Sequence, residues 1–490
     1  MERQISLRIA GNTAVNLIGQ VLSRLFDVLT FLILARYLGV DDFGKFSFVF
    51  AFVSLFSMLI DWGTSFILIR KTSTPGPARA EILGNGMSLR LCLSLLAVFT
   101  LWAFVFILGY PPQTRILVVL ASASLLISFR MSSFRDIFEV PLISALKMKY
   151  SALAAVLNRL LTFLVILSAI KFQASLGVIV ALYTLIALPP FILLAGFSRK
   201  VLKPVFNMKP AGWLKLLKEG FPLALGGAFF ILFSQLDMFL LSRFWSESEM
   251  GFYSASRRIT EPLELIPVAL SLSLIPVMSR LFGGAVDPVA QVRKIFNKSL
   301  LFLVLTVAPL AVFLAFFAKD AIGLLFGKAF LPASSALILL SCYLPFIFIW
   351  HICGAVFIAM KRQKMTSIIW LIAFLFNLSL NLVIIPRLGF FGASLARLAT
   401  GALVAILSLA VVKHLLGKIE FHSIWRLAVF SFLLVVVLKI LAPVNILLAV
   451  FVAAVIYVAG VLIFRIIQPE DIRLIKEWLI RRPENNGSRI

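Results

Sequence analysis

Four ionisable residues fall within eight positions of an otherwise apolar stretch: Arg257, Arg258, Glu261 and Glu264, in SASRRITEPLELIP at residues 254–267. Two guanidiniums can grip a phosphate or diphosphate through paired N–H donors. Two carboxylates beside them can carry protons or neutralise the arginines. The spacing puts Arg257, Glu261 and Glu264 near one helical face, where they can compensate one another as structural ion pairs. Pro262 and Pro267 predict a kink in the same place, with freed carbonyls that lipid could not satisfy. A second set, Asn16, Gln20, Arg24 and Asp27, recurs at helical spacing, and the step from Arg24 to Asp27 allows an ion pair. Asp61, Arg90 and Arg159 stand in other apolar runs, and RMSSFRDIFE brings Arg130, Arg135, Asp136 and Glu139. A charge at the bilayer centre costs roughly 2.5–3.5 kcal/mol on insertion scales, so such residues face a bundle interior or a wet cavity. The expected result is a hydrated, mainly cationic cavity. Arg130, Arg135 and Glu139 have the alternative of snorkelling to the interface. His351, single on an apolar run, reads as a core histidine.

The elements that must hold these groups are membrane spans. Of 490 residues 61% are hydrophobic, and the mean hydropathy is +1.06, far outside the range of soluble domains. Stretches of about 20 apolar residues, enough to span, recur along the whole chain. Fourteen are placed at about 9–36, 43–69, 82–108, 115–140, 147–170, 175–197, 219–244, 250–280, 293–318, 332–360, 365–386, 390–413, 424–441 and 443–465. The net charge of +25 is distributed by topology: connections after even-numbered spans hold 23 Lys and Arg, those after odd-numbered spans nine. By the positive-inside rule both termini are cytoplasmic. The basic excess therefore implies no nucleic-acid partner, since no extramembrane domain carries it. Three cysteines in apolar surroundings suggest neither disulfides nor a metal site. The first span is polar and lacks a small-residue cleavage site, so it reads as retained. GLLFGKAF lacks the glycine spacing and the Ser/Thr of a nucleotide-binding loop, and no cofactor is expected.

The chain repeats itself. LARYLGVDDFGKFS at 34–47 returns as LSRFWSESEMGFYS at 241–254, aligning Arg36 with Arg243, Gly44 with Gly251 and Ser47 with Ser254. LNRLLTFLVILSAIKFQASL at 157–176 returns as FNLSLNLVIIPRLGFFGASL at 376–395, aligning Asn158 with Asn377, and Asn85 falls opposite Asn297. Each half has six spans, an even number, so the halves share one orientation about an axis along the membrane normal. The expected fold is an all-α polytopic membrane protein of about 14 helices, two parallel six-helix repeats around a central cavity plus two extra C-terminal helices. Its parts are an N-terminal lobe (1–200), an amphipathic linker lying in the cytoplasmic headgroup layer (201–218), a C-terminal lobe (219–416), helices 13 and 14 (417–467) and a cytoplasmic tail (468–490). At the 207-residue offset Arg257, Arg258, Glu261 and Glu264 align with Phe50, Ala51, Ser54 and Ser57. The fold alone does not require charge there.

LARYLGVDDFGKFSFVFAF followed by DWG, EVPLISALKMKYSA, and FNLSLNLVIIPRLGFFGASLA resemble polysaccharide and O-antigen flippases of the multidrug/oligosaccharidyl-lipid/polysaccharide exporter superfamily, over roughly residues 5–416. The resemblance implies two six-helix lobes around a cavity lined by helices 1, 2, 7 and 8. It also implies export of undecaprenyl-diphosphate-linked oligosaccharide across a prokaryotic inner membrane by alternating access, alongside other polysaccharide assembly proteins, and transport rather than enzymatic chemistry. Arg24, Arg257, Arg258 and Arg90 are then the diphosphate partners. Relatives with a sodium site draw ligands from helices 7, 11 and 12, which match Asp237, Asn377 and Asn381 here. Arg397 departs from that pattern, and its guanidinium could take the cation's place beside Asp237. Coupling is then expected through protons on Asp27, Glu261 or Glu264, with Asp61 a further buried carboxylate. The alternatives are a drug:cation antiporter of the same fold, which a cavity with excess arginine suits poorly, and a membrane glycan polymerase or ligase, for which no large outer loop is visible.

Overall fold

The computed structural model describes residues 2–419 except 75 and 284–286, and beyond them 435, 438–440, 452 and 455–457. Among the described residues every regular element is a helix. The first half runs α1 (Glu2–Phe56), α2 (Met58–Asp61), α3 (Thr64–Ser73), α4 (Arg79–Ile107), α5 (Pro112–Ser122), α6 (Ser124–Ile127), α7 (Glu139–Ser144), α8 (Lys149–Lys171), α9 (Leu176–Leu185) and α10 (Leu188–Val201). The second half runs α11 (Pro210–Phe244), α12 (Glu247–Thr260), α13 (Leu265–Leu281), α14 (Pro288–Phe316), α15 (Ala318–Phe326), α16 (Ala333–Ala359) and α17 (Gln363–Leu416).

Nine of the described helical stretches are long and apolar enough to cross a bilayer. Two are hairpins. α1 turns at Gly39, whose φ of 73° favours glycine, and the rings of Phe31 and Phe46 meet at 6.3 Å. A straight helix would separate those positions by roughly 22 Å. α17 turns at Gly389, φ 54°, and Asn377 donates to Thr400 Oγ1 at 3.2 Å where a rod would hold them roughly 35 Å apart. With these hairpins divided and the shorter apolar Pro112–Ile127 segment added, the first twelve expected spans are accounted for. Helices 13 and 14 and the tail, 417–467 and 468–490, lie almost wholly outside the described residues. Large apolar side chains such as Phe99, Ile107, Phe172 and Leu324 stand open on the outside of the bundle, as lipid contact requires. The protein is a multi-pass membrane protein.

The fourth span differs from the continuous helix expected at 115–140. α6 ends at Ser128, whose backbone is extended, and the chain stays non-helical until a 3-10 turn at Phe134–Phe138 capped by Ser133 and Asp136. The freed Ser128 carbonyl accepts from Ser133 Oγ and Arg135 Nε, both at 2.9 Å. Broken backbone at membrane depth persists where protein satisfies it beside a cavity.

The halves meet end to end around the odd-numbered connections, and the meeting is reciprocal. Arg36 donates to the carbonyls of Leu324 and Leu325 in the second half, while its repeat partner Arg243 donates to Leu108 in the first at 2.8 Å. A side chain on Gly44 would strike the Glu247 carbonyl, and one on Gly251 the Val40 carbonyl. Phe43, Phe52 and Tyr110 pack with Phe239, Phe326 and Phe330 in one apolar core that crosses this junction. At the opposite, basic end the junction is polar: Glu219 accepts from Lys71 Nζ at 2.8 Å and Arg70 Nη2 at 3.1 Å. The connecting segment 202–209 is strapped along the start of α4. Val205 N donates to Ala80 O at 3.0 Å, Lys209 N to Asn85 Oδ1 at 3.0 Å, and Ser88 Oγ to Asn207 O at 2.6 Å. Residues 210–218 continue without interruption into the seventh span as α11.

Candidate functional site

Between the halves lies a chamber of about 520 Å³. α1 contributes Arg24 and Asp27, the unwound fourth span Arg130, α8 Arg159, and α12 Arg257 and Arg258, with Glu261 just after it. Five guanidiniums thus face two carboxylates. Asp27 holds Arg130 Nη2 at 3.0 Å and lies 3.1 Å from Arg159 Nε. It does not pair with Arg24 as the sequence spacing allows, and no hydrogen bond or ion pair joins Arg24 to a described residue. Glu261 pairs with Arg257 at 2.6 Å and stands 3.7 Å from Arg258. The guanidiniums are further steadied by aromatic faces: Arg130 lies 4.3 Å over Tyr183 and Arg258 3.5 Å over Phe31. Arg257 Nη1 also donates to Ser234 O at 3.1 Å.

Donor capacity is left over. Arg159 Nη1, Arg130 Nε and the hydroxyls of Ser23, Ser47 and Ser254 have no hydrogen-bond partner among the described residues, although all five residues line the chamber. Ser47 and Ser254 are repeat-related. A guanidinium has five N–H donors in a planar fork, and several of these forks are half used. Paired donors of this kind are what an oxyanion with several charges binds to.

The expected kink after α12 is a 3-10 turn at Glu261–Glu264, made where Pro262 removes a backbone donor. It separates the two carboxylates. Glu261 faces the main chamber and a side chamber of about 340 Å³, while Glu264 lines only the latter, with Phe230, Tyr343, His351 and Arg397. His351 is therefore no satisfied core histidine, because its ring meets this space and bonds to no described residue. Next to the side chamber Arg397 Nη1 sits 2.7 Å from Asp237 Oδ2 and 3.0 Å from Tyr253 Oη. Asp237 accepts also from Tyr253 at 2.5 Å and Asn381 at 2.7 Å, and Asn381 donates to Asn377 at 2.9 Å. Asp237 is the hub of a buried network that joins Arg397, Tyr253, Asn381 and, through Asn381, Asn377, with Asn381 Oδ1 left without a partner among the described residues.

Arg90 and Asp61 are placed elsewhere. Arg90 is 1% exposed, pairs with Asp61, donates to Ser65 Oγ at 2.9 Å, and does not line the chamber. Its expected place among the diphosphate partners is corrected to a buried pair inside the first half. Arg130 moves the other way. It is drawn into the chamber by the break at Ser128 instead of snorkelling outward, and the signal was the serine-rich RMSS within a span. Among the described residues no cluster of His, Cys, Asp and Glu could hold a metal ion.

A helical bundle of paired halves around a polar chamber is the architecture of the multidrug/oligosaccharidyl-lipid/polysaccharide exporter superfamily. The profile of the polysaccharide biosynthesis protein family matches residues 9–282, more than half of the chain, and the chain belongs to that family. A MatE profile matches residues 222–383. The lipid II flippase MurJ in an inward closed conformation superposes with a TM-score of 0.72 at 17% identity, covering 93% of this chain and 98% of that one. An inward-facing multidrug resistance MATE transporter gives a TM-score of 0.65 at 15% identity, covering 82% and 97%. At those identities the likeness establishes the fold alone. An uncharacterized membrane protein of Methanocaldococcus jannaschii is 25% identical over 300 residues, 58% of this chain and 55% of its own length. The probable low-salt glycan biosynthesis flippase Agl15 of Haloferax volcanii is 24% identical over 233 residues, 47% of this chain and 48% of its own length. The chain thus spans about half the length of the curated relatives it matches.

Proposed function

We propose that the protein is a flippase carrying an undecaprenyl-diphosphate-linked oligosaccharide from the cytoplasmic to the outer leaflet of a prokaryotic inner membrane, by alternating access of lobes 1–200 and 219–416. The observation that carries this reading is the five-to-two excess of guanidinium over carboxylate in the chamber. A diphosphate takes the half-used donors of Arg24, Arg130, Arg159, Arg257 and Arg258, while the prenyl tail stays in lipid. The basic end is the cytoplasmic one, and the apolar junction at the other end closes the chamber to the outside. Asp27 and Glu261 are resident counterions. When phosphate oxygens take their arginines, the two carboxylates are left without partners in a closed chamber, where a bare carboxylate is disfavoured, so re-forming the two ion pairs helps to displace the headgroup. In reconstituted vesicles Arg257→Ala with Arg258→Ala abolishes flipping of the lipid-linked sugar while folded protein is retained; unchanged flipping would defeat the assignment.

The MATE-like fold supports a second reading, an antiporter of small cationic drugs. The same arginine excess opposes it, since a cationic drug would meet like charge. Drug efflux that survives loss of Arg257 and Arg258 would favour it.

A further inference from the structure

The side chamber differs in chemistry from the space it opens into. Arg24, Arg257 and Glu261 line both, so a ligand whose phosphates lie among the arginines has its next portion at the mouth of the side chamber. Phosphate is better placed in the main chamber, where five guanidiniums gather; in the side chamber Arg397 is held by Asp237 and Arg257 by Glu261. Glu264 and His351 are half-buried, line the space, and bond through their side chains to no described residue. Each is an uncommitted hydrogen-bonding group at membrane depth, a costly arrangement unless a ligand or water meets it. Phe230 leaves 44% of its surface open, and its neighbour Trp370 packs against the ring edge-on at 4.9 Å. Phe233 and Tyr343, by contrast, have Arg397 over their rings at 5.1 and 5.7 Å. An open aromatic ring beside a carboxylate and an imidazole suits a neutral ligand with apolar C–H faces and many hydroxyls. That is the chemistry of a sugar. The volume of about 340 Å³ lies at the small end of ligand pockets, which run about 300–1,000 Å³, so it admits a sugar unit rather than a whole chain.

We propose that this side chamber is a sugar subsite, in which Glu264 and His351 hydrogen-bond hydroxyl or amide groups of the sugar next to the diphosphate while Phe230 supports its apolar face. The proposal rests on the flippase reading and deepens it: arginines of both halves grip the diphosphate, and groups of the second half read the first sugar. A buried site built to hydrogen-bond such groups discriminates strongly against a ligand lacking them.

The test measures binding to purified protein in lipid nanodiscs with three probes: undecaprenyl diphosphate, the same lipid bearing glucose, and the same lipid bearing N-acetylglucosamine. Wild type is expected to bind at least one sugar-bearing probe about tenfold or more tighter than the sugar-free lipid. Glu264→Gln, His351→Ala and Phe230→Ala each shrink that advantage and leave sugar-free binding as it was. Val268→Phe, which adds bulk to the chamber wall without removing a polar group, does the same, so a variant that misfolds does not decide the matter. Equal wild-type affinity for all three probes overturns the subsite, as does a parallel loss for every probe in the variants. Failure of wild type to bind any diphosphate lipid overturns the flippase reading instead, which keeps the two failures apart.

Discussion

Asp27 is one carboxylate serving two arginines, Arg130 and Arg159, and the proposed mechanism makes it a competitor of the substrate. Asp27→Asn removes the competitor. It should tighten binding of undecaprenyl diphosphate by about 5–10-fold, near 1 kcal/mol, and slow flipping because release weakens. Unchanged affinity in a nanodisc titration would show that carboxylate and phosphate do not share these donors. Asp237 has a different task. Its partner Arg397 is buried except where it meets the side chamber, and removing one member of a buried pair typically costs 3–5 kcal/mol. Asp237→Asn should therefore lower the thermal unfolding midpoint of purified protein sharply, and Asp237→Asn with Arg397→Met should recover part of the loss. Arg24, Asp27, Arg257, Arg258 and Glu261 were legible in the sequence because charge inside an apolar span demands a cavity. Arg130 was legible only as one of two alternatives, chamber or snorkelling, since in an unbroken fourth span it lies within reach of the interface. His351 was hidden for a related reason: a single histidine carries no sign of the empty space beside it. Arg90 misled because burial alone does not say which side of a helix faces the chamber.

The helical hairpins supply two seals of different character. At the outer junction two repeat-related glycines, Gly44 and Gly251, let backbones touch with no room for a Cβ. Gly44→Val or Gly251→Val should hold the junction apart and bias the protein toward opening outward. A cysteine placed at Ser242, which pairs with Tyr110 across the junction at 2.8 Å, should then react several-fold faster with a membrane-impermeant maleimide added outside. No change in labelling would remove this contact from the gate. At the inner end the seal is ionic and exposed. The Lys71 hydrogen bond holds the Glu219 carboxyl below the usual carboxylate range, so the clasp persists from neutral pH down through that range and is lost as further acid protonates Glu219. Glu219→Gln should loosen the inner end at neutral pH. Most of this fold was readable beforehand, because apolar runs and a repeat with offsets near 210 residues specify spans and orientation. The break in the fourth span was not readable, because its cause is tertiary: Arg135 and Ser133 replace the lost helical bonds of Ser128.

Across the whole molecule, the proposed cycle sets a fixed positive chamber against a mobile negative headgroup, and the membrane potential acts on what moves. In that cycle the arginines stay with the helices that carry them, whereas the diphosphate crosses from one leaflet to the other. Each charge crossing 100 mV exchanges about 2.3 kcal/mol, so two negative charges moving outward down an inside-negative potential release roughly 4–5 kcal/mol. That corresponds to an outer-to-inner ratio on the order of 10³ at equilibrium, without any nucleotide hydrolysis. In vesicles carrying the protein in a known orientation, a potassium gradient with valinomycin should shift a fluorescent diphosphate-linked sugar toward the positive leaflet, and reversal of the gradient should reverse the shift. Collapsing the pH gradient alone should leave the direction of the shift intact. A distribution indifferent to potential would mean that two cations accompany the headgroup across, and the arginine excess would then serve recognition alone and no part of the driving force.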